Sequence, residues 1–162
     1  MGQKVNPIGF RTGTFFPWKS RWFSEDKGKF KAYLLEDLKI RESLMEKLKI
    51  AGVTNVEIER LPKSIVITLW VSRPGVVIGR GGTGLEDLKK SILDTVGAIR
   101  REKVVDLKID LVVKEVKNPD LSAFIVASRI ALELERRLPA RRVATRAIEK
   151  VVQSGALGVK II

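Results

Sequence analysis

Between positions 79 and 84 the chain reads Gly-Arg-Gly-Gly-Thr-Gly. Glycines in such a run let a backbone come close to a phosphate, because no Cβ stands in the way. The run literally matches G-x-G-x-x-G. That fingerprint needs a strand leading straight into the first glycine, so that a pyrophosphate meets the N-terminus of the next helix. Here Pro74-Gly75 interrupts the strand beforehand, and the two strands upstream pattern as an antiparallel hairpin. No Gly-Lys-Ser or Gly-Lys-Thr follows, which excludes a P-loop. The first four residues, Gly79, Arg80, Gly81 and Gly82, also form a G-x-x-G turn. Between two helices, such a turn brings backbone N–H groups and Arg80 to RNA phosphates while nearby apolar residues face the bases. A glycine connector without a ligand is the third reading, and Arg80 together with the basic charge weighs against it.

Two other stretches could do chemistry. Arg136, Arg137, Arg141, Arg142 and Arg146 fall within eleven residues that contain no acid. Arg142 and Arg146 would stand one turn apart on a helix. Guanidinium groups bind phosphates bidentately and stack on bases, so this face suits a passing RNA strand; the bland reading is a solvated charged face. Near the N-terminus, Phe10, Phe15, Phe16, Trp18, Trp22, Phe23 and Phe30 alternate with Lys4, Arg11, Lys19, Arg21, Lys27, Lys29 and Lys31. Rings that stack on unpaired bases, beside cations that neutralise phosphates, fit irregular RNA. The same rings could equally pin an irregular arm to the core.

The composition agrees with a polyanionic partner. Lys and Arg number 31 against 19 acids, for a formal net charge of +12; such a field attracts nucleic acid first and anionic membrane second. The 44% hydrophobic content is enough to bury a core. Neither Cys nor His is present, which removes disulfides, thiolate nucleophiles and the commonest metal ligand and general base. The closest carboxylate pair, Asp106 and Asp110, is expected on an outward strand face with no base, nucleophile or metal set around it. No catalytic residue, metal site or cofactor is therefore expected, and the protein does not read as an enzyme. No apolar run approaches the ~20 residues that span a bilayer. No signal-peptide core opens the chain, and Asn6 stands where a myristoylation motif needs Ser or Thr. A cytoplasmic address is expected.

The elements that must position these residues fall into three regions. Residues 1–31, with Pro7, Pro17 and several glycines, read as an irregular basic and aromatic arm. Residues 32–114 read as helix, strand, strand, helix, helix, strand. Leu44, Leu48 and Ala51 share a helical face that Gly52 ends. Val56 and Ile58 alternate with Glu57 and Glu59, and Ile65, Ile67, Leu69 and Val71 alternate in a second strand beyond Pro62-Lys63. Thr83 and Glu86 have the spacing of a capping box, and Leu85, Leu88, Ile92 and Val96 stripe a helix that Gly97 would close. In the last strand Val105, Leu107, Ile109, Leu111 and Val113 point inward, with Asp106, Lys108 and Asp110 outward. Sheet plus helices on one face is an α+β layer. Residues 115–162 read as two helices and a strand. Phe124, Ala127, Ala131, Leu134 and Leu138 form the expected apolar stripe of the first, and a second helix runs from about Ala140 to Gly155. Leu157 to Ile162 would be a strand with an unpaired edge, which makes this second small α/β unit look C-terminally incomplete.

The sequence resembles the bacterial small-subunit ribosomal protein S-three family. The resemblance is carried by Met1-Gly-Gln-Lys-Val-Asn-Pro-Ile-Gly-Phe-Arg11, Trp18, Trp22-Phe23 and Glu36-Asp-Leu-Lys-Ile-Arg41. It continues through Arg73-Pro-Gly-Val-Val-Ile-Gly79, Glu115-Val-Lys-Asn-Pro119, Leu134-Glu-Arg-Arg137 and Gly155-Ala-Leu-Gly-Val-Lys160. It implies a type II KH domain over the middle region, whose α-β-β-α-α-β order is the one read from the residues. It implies a structural place in the head of the small subunit, binding small-subunit rRNA and lining the channel by which mRNA enters. Partners would be rRNA, mRNA and the head proteins conventionally numbered ten and fourteen. Family members are also credited with helping to unwind mRNA through basic residues that map onto Arg141 and Arg142, while a third, usually basic, is Thr145 here. They usually continue past position 162, so a short relative or a truncated chain is expected. They usually place two basic residues inside the G-x-x-G loop, where this chain keeps only Arg80. The RNA-binding set expected overall is Lys4, Arg11, Trp18, Lys19, Arg21, Trp22, Arg73, Gly79, Arg80, Gly81, Gly82, Arg136, Arg137, Arg141, Arg142 and Arg146. A free-standing KH regulator or RNA chaperone is the alternative function; it accounts for the loop but gives the arm no special role.

Overall fold

The structure, a computed structural model, describes residues 2–100 and 107–162. Its helices are α1 (Pro7–Arg11), α2 (Lys27–Lys47), α3 (Pro74–Ile78), α4 (Thr83–Arg100), α5 (Ala123–Glu135) and α6 (Ala140–Gln153). Its strands are β1 (Ser20–Arg21), β2 (Val53–Arg60), β3 (Ser64–Val71) and β4 (Lys108–Glu115). From α2 onward the order is α-β-β-α-α-β, as the sequence predicts, and the fold is α+β. The sheet order is β1-β2-β3-β4. β2 and β3 form the expected antiparallel hairpin, whereas β1 joins β2 and β4 joins β3 in parallel.

Strict alternation fixes which face of the sheet is buried. Ile65, Ile67, Leu69 and Val71 of β3 are each no more than 1% exposed, and Val56, Ile58 and Ile109 extend the same face onto β2 and β4. On it lie Ile40 and Leu44 of α2, Val77 of α3, and Leu88, Ile92 and Val96 of α4. Each such side chain contributes roughly 1.5 to 3 kcal/mol on leaving water, so this one face supplies most of the folding drive. No helix among the described residues is long and apolar enough to cross a membrane.

Several local expectations are corrected. The stretch expected as an irregular arm carries a short helix, α1, whose N-terminus is capped by Asn6 accepting from the N–H groups of Ile8 and Gly9 at 2.9 and 3.2 Å. It also supplies strand β1. The first long helix starts at Lys27, inside that stretch, because the Asp26 carboxylate accepts from Gly28 N at 2.8 Å. Thr83 is already helical and its hydroxyl donates to Arg80 O, so it is not the capping residue of α4. Gly97 lies within α4, which runs on to Arg100, where an ion pair to α2 anchors the last turn. Val105 and Asp106 lie outside the described residues.

The second unit departs further. Phe124, Leu134 and Leu138 are 40% exposed or more, while Ile125 is buried. Apolar residues occur on nearly every side of α5, and Val126 and Ile130 line a cavity together with Val143, Ala147 and Val151 of α6. Residues 157–162 form no strand, and Leu157 and Ile162 are fully exposed. Alternation makes a strand only where a neighbour supplies the ladder, and among the described residues no edge of the sheet receives this segment.

Beneath the arm sits a buried polar cluster. Glu36 and Asp37 of α2 are 0% and 2% exposed. Arg60, at the end of β2, donates to Glu36 at 2.7 Å and to Asp37 at 2.8 and 2.6 Å. Arg100, at the end of α4, donates to Glu36 at 2.7 and 3.0 Å. Burial by itself would raise the Glu36 carboxyl, but the hydrogen bonds and charges of Arg100 and Arg60 outweigh it and hold the group below its ordinary 4.5. Because the folded value is the lower one, this stabilisation is complete above 4.5 and disappears as pH falls through the folded value. Glu36→Gln should cost roughly 3 to 5 kcal/mol near neutrality, since it leaves two guanidinium groups undercompensated. It should also flatten the acid limb of stability. Urea midpoints of both proteins, taken at neutral pH and in steps below 4.5, test this; parallel curves would show that Glu36 is not the group that titrates.

Candidate nucleic-acid interface

The arm is positioned by α2. The Asp37 carboxylate accepts from Trp22 Nε1 at 2.7 Å and from Ser20 Oγ at 3.2 Å. Arg41 donates to Lys19 O at 2.9 Å, to Ser20 Oγ at 2.8 Å and to Val56 O, so one guanidinium ties arm, helix and sheet together. Trp22 packs edge-on against Tyr33 and tilted against Phe30. Arg21 reaches across the sheet edge to Glu59 at 2.8 Å and Glu57 at 3.5 Å. Thus Trp22 and Arg21, both expected to meet RNA, are also what hold the arm in place. Beyond this anchor, Phe10, Phe15, Trp18 and Phe23 are all more than 60% exposed. The backbone of Gly13 closes a tight turn by donating to Phe16 O at 2.9 Å. Lys4, Arg11 and Lys19 are exposed on the same arm.

The glycine run lies between α3 and α4, where the sequence places a KH loop. Gly79, Gly81 and Gly82 have φ of 71°, 63° and 85°, values that L side chains rarely adopt. Arg80 is exposed at the tip, and Arg73 is exposed at the start of α3. Gly84 has a different role. A Cβ there would stand 2.6 Å from Val77 O and 3.0 Å from Ile78 O. The last glycine of the G-x-G-x-x-G match therefore lets α4 begin hard against α3. β3 and β4 are indeed parallel around this crossover, but α3 fills the interval between strand and glycine, so no strand feeds the loop directly.

The third group surrounds the α5–α6 elbow. Arg136 and Arg137 close α5, and Arg141, Arg142 and Arg146 lie on α6; all five are exposed. Among the described residues none of them forms an ion pair. Thr145 turns its hydroxyl back onto Arg141 O at 2.9 Å, so it supplies no charge to this face. Arm, loop and elbow are separate groups, and no hydrogen bond, ion pair or ring contact among the described residues joins one to another.

Comparison with known proteins places this architecture. The family model described as KH domain matches residues 39–121. The small ribosomal subunit protein uS3 of Desulfatibacillum aliphaticivorans is 43% identical over 161 residues, covering 99% of this chain and 69% of its own length. That of Caldicellulosiruptor saccharolyticus is 45% identical, with 99% and 68% covered. The chain belongs to the uS3 family. A further uS3 relative, from Clostridioides difficile, is 45% identical and has 56% of its length covered. The KH match runs from within α2 across β2, β3, the glycine loop and β4 to the turn before α5. The arm and the arginine elbow lie outside the KH match but inside the uS3 likeness.

The residues that reading the sequence missed are Glu36, Asp37, Arg41, Arg60 and Arg100. A signal for them exists. Arg60 continues the inward parity of Val56 and Ile58, and Glu36 continues the stripe of Ile40 and Leu44 at a spacing of four. Charges of opposite sign on two core-facing stripes call for each other.

The two kinds of glycine can be separated by stability. Gly84→Ala must push a backbone carbonyl aside and should cost roughly 1 to 3 kcal/mol. Gly81→Ala meets nothing within 4 Å and should cost only the left-handed penalty, roughly 1 kcal/mol. Equal urea midpoints for the two variants would remove the packing role assigned to Gly84.

Proposed function

We propose that this chain is a structural, non-catalytic constituent of the small-subunit head, binding small-subunit rRNA and lining the channel by which mRNA enters. Membership of the uS3 family supports its place as a small ribosomal subunit protein. The observation that carries the RNA-facing part is the elbow: five exposed arginines, free of ion pairs among the described residues, within eleven residues lacking an acid. Like charges so placed repel one another unless a polyanion lies across them. Each surface offers RNA a different chemistry. The arm presents Trp18 and its neighbouring phenylalanines for stacking, with Lys4, Arg11 and Lys19 for phosphates, around the anchor of Arg21 and Trp22. The KH loop presents Gly79, Arg80, Gly81 and Gly82, with Arg73 at its base, for close backbone approach. The elbow presents guanidinium forks. rRNA, mRNA and the head proteins ten and fourteen are the proposed partners, in the cytoplasmic ribosome.

Sedimentation of a cell lysate through sucrose at low and moderately high salt tests the assignment. Co-migration with small subunits that survives the salt step is expected. A broad or salt-stripped profile would favour a free-standing KH regulator or RNA chaperone. In vitro, Arg141→Ala with Arg142→Ala should weaken RNA binding and lower the slope of log affinity on log salt by about 0.7 per lost phosphate contact on single strands. An unchanged slope would remove these two residues from the interface.

A further inference from the structure

The two edges of the sheet are finished differently. At one, β1 contributes only Ser20 and Arg21, and so short an edge strand offers little template to another chain. At the other, β4 runs for eight residues in unbroken register with β3. It holds no proline or glycine, and among the described residues nothing pairs with its outer side. Lys108 N donates to Lys63 O at 3.0 Å and Val116 N to Val71 O at 2.9 Å. Even-numbered residues of β4 therefore turn their backbone groups toward β3, and Ile109, Leu111, Val113 and Glu115 turn theirs outward. Leu111 and Val113 lie on the core face but are only partly buried, because the core ends with this strand. On the opposite face Val112 is 40% exposed between Asp110 and Lys114. No residue assigned above to RNA lies on β4.

A second copy of β4 fits this edge. Run antiparallel, the odd residues of both strands form the hydrogen-bonded pairs and the even residues the close, non-bonded pairs. A two-fold axis that sets Val112 opposite itself brings Asp110 opposite the second copy's Lys114 on both sides of the axis. It also brings Leu111 opposite Val113, extending the core face of each copy into the other, and leaves Glu115 opposite Ile109 at the rim. Moving the axis to Leu111 would oppose Lys108 with Lys114, and moving it to Val113 would leave none of these charges paired. Both charges are available. Asp110 meets Lys108 at 3.7 Å where both are exposed, a weak pair, and Lys114 lies over the Trp70 ring at 5.1 Å.

We infer that β4 is a self-association edge, across which two copies of the free chain join into one continuous sheet about a two-fold axis at Val112. Main-chain bonds supply the attraction, and Asp110 with Lys114 sets the register. The inference is independent of the RNA-binding reading.

Sedimentation equilibrium of the full, nuclease-treated chain at moderate salt, from low to several hundred micromolar, tests it. The mass should rise with concentration from monomer to dimer and stop there. Asp110→Lys and Lys114→Asp should each weaken the dimer roughly ten-fold or more, and the two together should restore it. The single reversals change the net charge in opposite directions, so a loss in both separates pairing from overall repulsion. Urea midpoints establish that each variant is folded. The chain has no cysteine, so Val112→Cys provides a single thiol, about 4.5 Å from its own copy between Cα atoms in such a pair and within disulfide reach. Mild oxidation should cross-link it much faster than Thr14→Cys on the exposed arm. A monomer at every concentration, or a series of ever larger assemblies, overturns the inference. A dimer indifferent to both single reversals, or not restored by the folded double variant, overturns the pairing. Cross-linking of Val112→Cys no faster than Thr14→Cys overturns the register.

Discussion

Glu36 and Asp37, two carboxylates out of water on a helix facing the sheet, constrain the rest of this molecule. Desolvating them is unfavourable by several kcal/mol per charge unless opposite charges and hydrogen-bond donors arrive in good geometry. Those partners come from three different elements: Arg60 from the end of β2, Arg100 from the end of α4, and Trp22 from the arm. Satisfying one helix therefore fixes the end of a strand, the last turn of a second helix and the path of the N-terminal segment. Aromatic faces complete the cluster, with the Arg60 guanidinium carbon 4.8 Å from the centre of the Tyr33 ring. The two acids and two arginines leave it electrically balanced, so its cohesion does not draw on the surplus positive charge elsewhere.

That balance explains how a chain of formal net charge +12 keeps a compact fold. Acids are spent where they neutralise structural arginines: Glu57 and Glu59 against Arg21, Glu36 and Asp37 against Arg60 and Arg100. The arginines of the elbow and of the loop tip have no such partner among the described residues. Positive potential is thus segregated by ion pairing more than by composition. The arm shows the two kinds of side chain next to each other: those of Trp22 and Arg21 are paired, those of Trp18 and Lys19 are exposed.

Much of the KH core is legible in the sequence. Alternation in β3 and the stripes of α2 and α4 have a single solution, because slipping a strand by one residue exposes its whole apolar set. The α-β-β-α-α-β order follows from those periods and from Pro and Gly at the breaks. The position of the glycine loop between two helices was equally readable. Other features were not. Alternation says nothing of strand direction, and both parallel pairings are set by crossovers in space. The buried side of α5 is not legible, because a helix apolar on nearly every side gives no periodic signal. The terminal segment 157–162 alternates, yet forms no strand without a neighbour to bond.

By itself the sequence determined where apolar faces must be buried, where the backbone must turn left-handed, and where cations accumulate without acids. These follow from local chemistry: side-chain period, the missing Cβ of glycine, and charge counted along a few residues. Only the tertiary structure decided which charged residues are structural. Arg60 and Arg41 look no different from Arg80 or Arg142 as letters. The fold separates them, because an arginine is committed to the interior only when distant segments bring carboxylates and carbonyls within hydrogen-bond reach, and that reach is a property of packing in three dimensions.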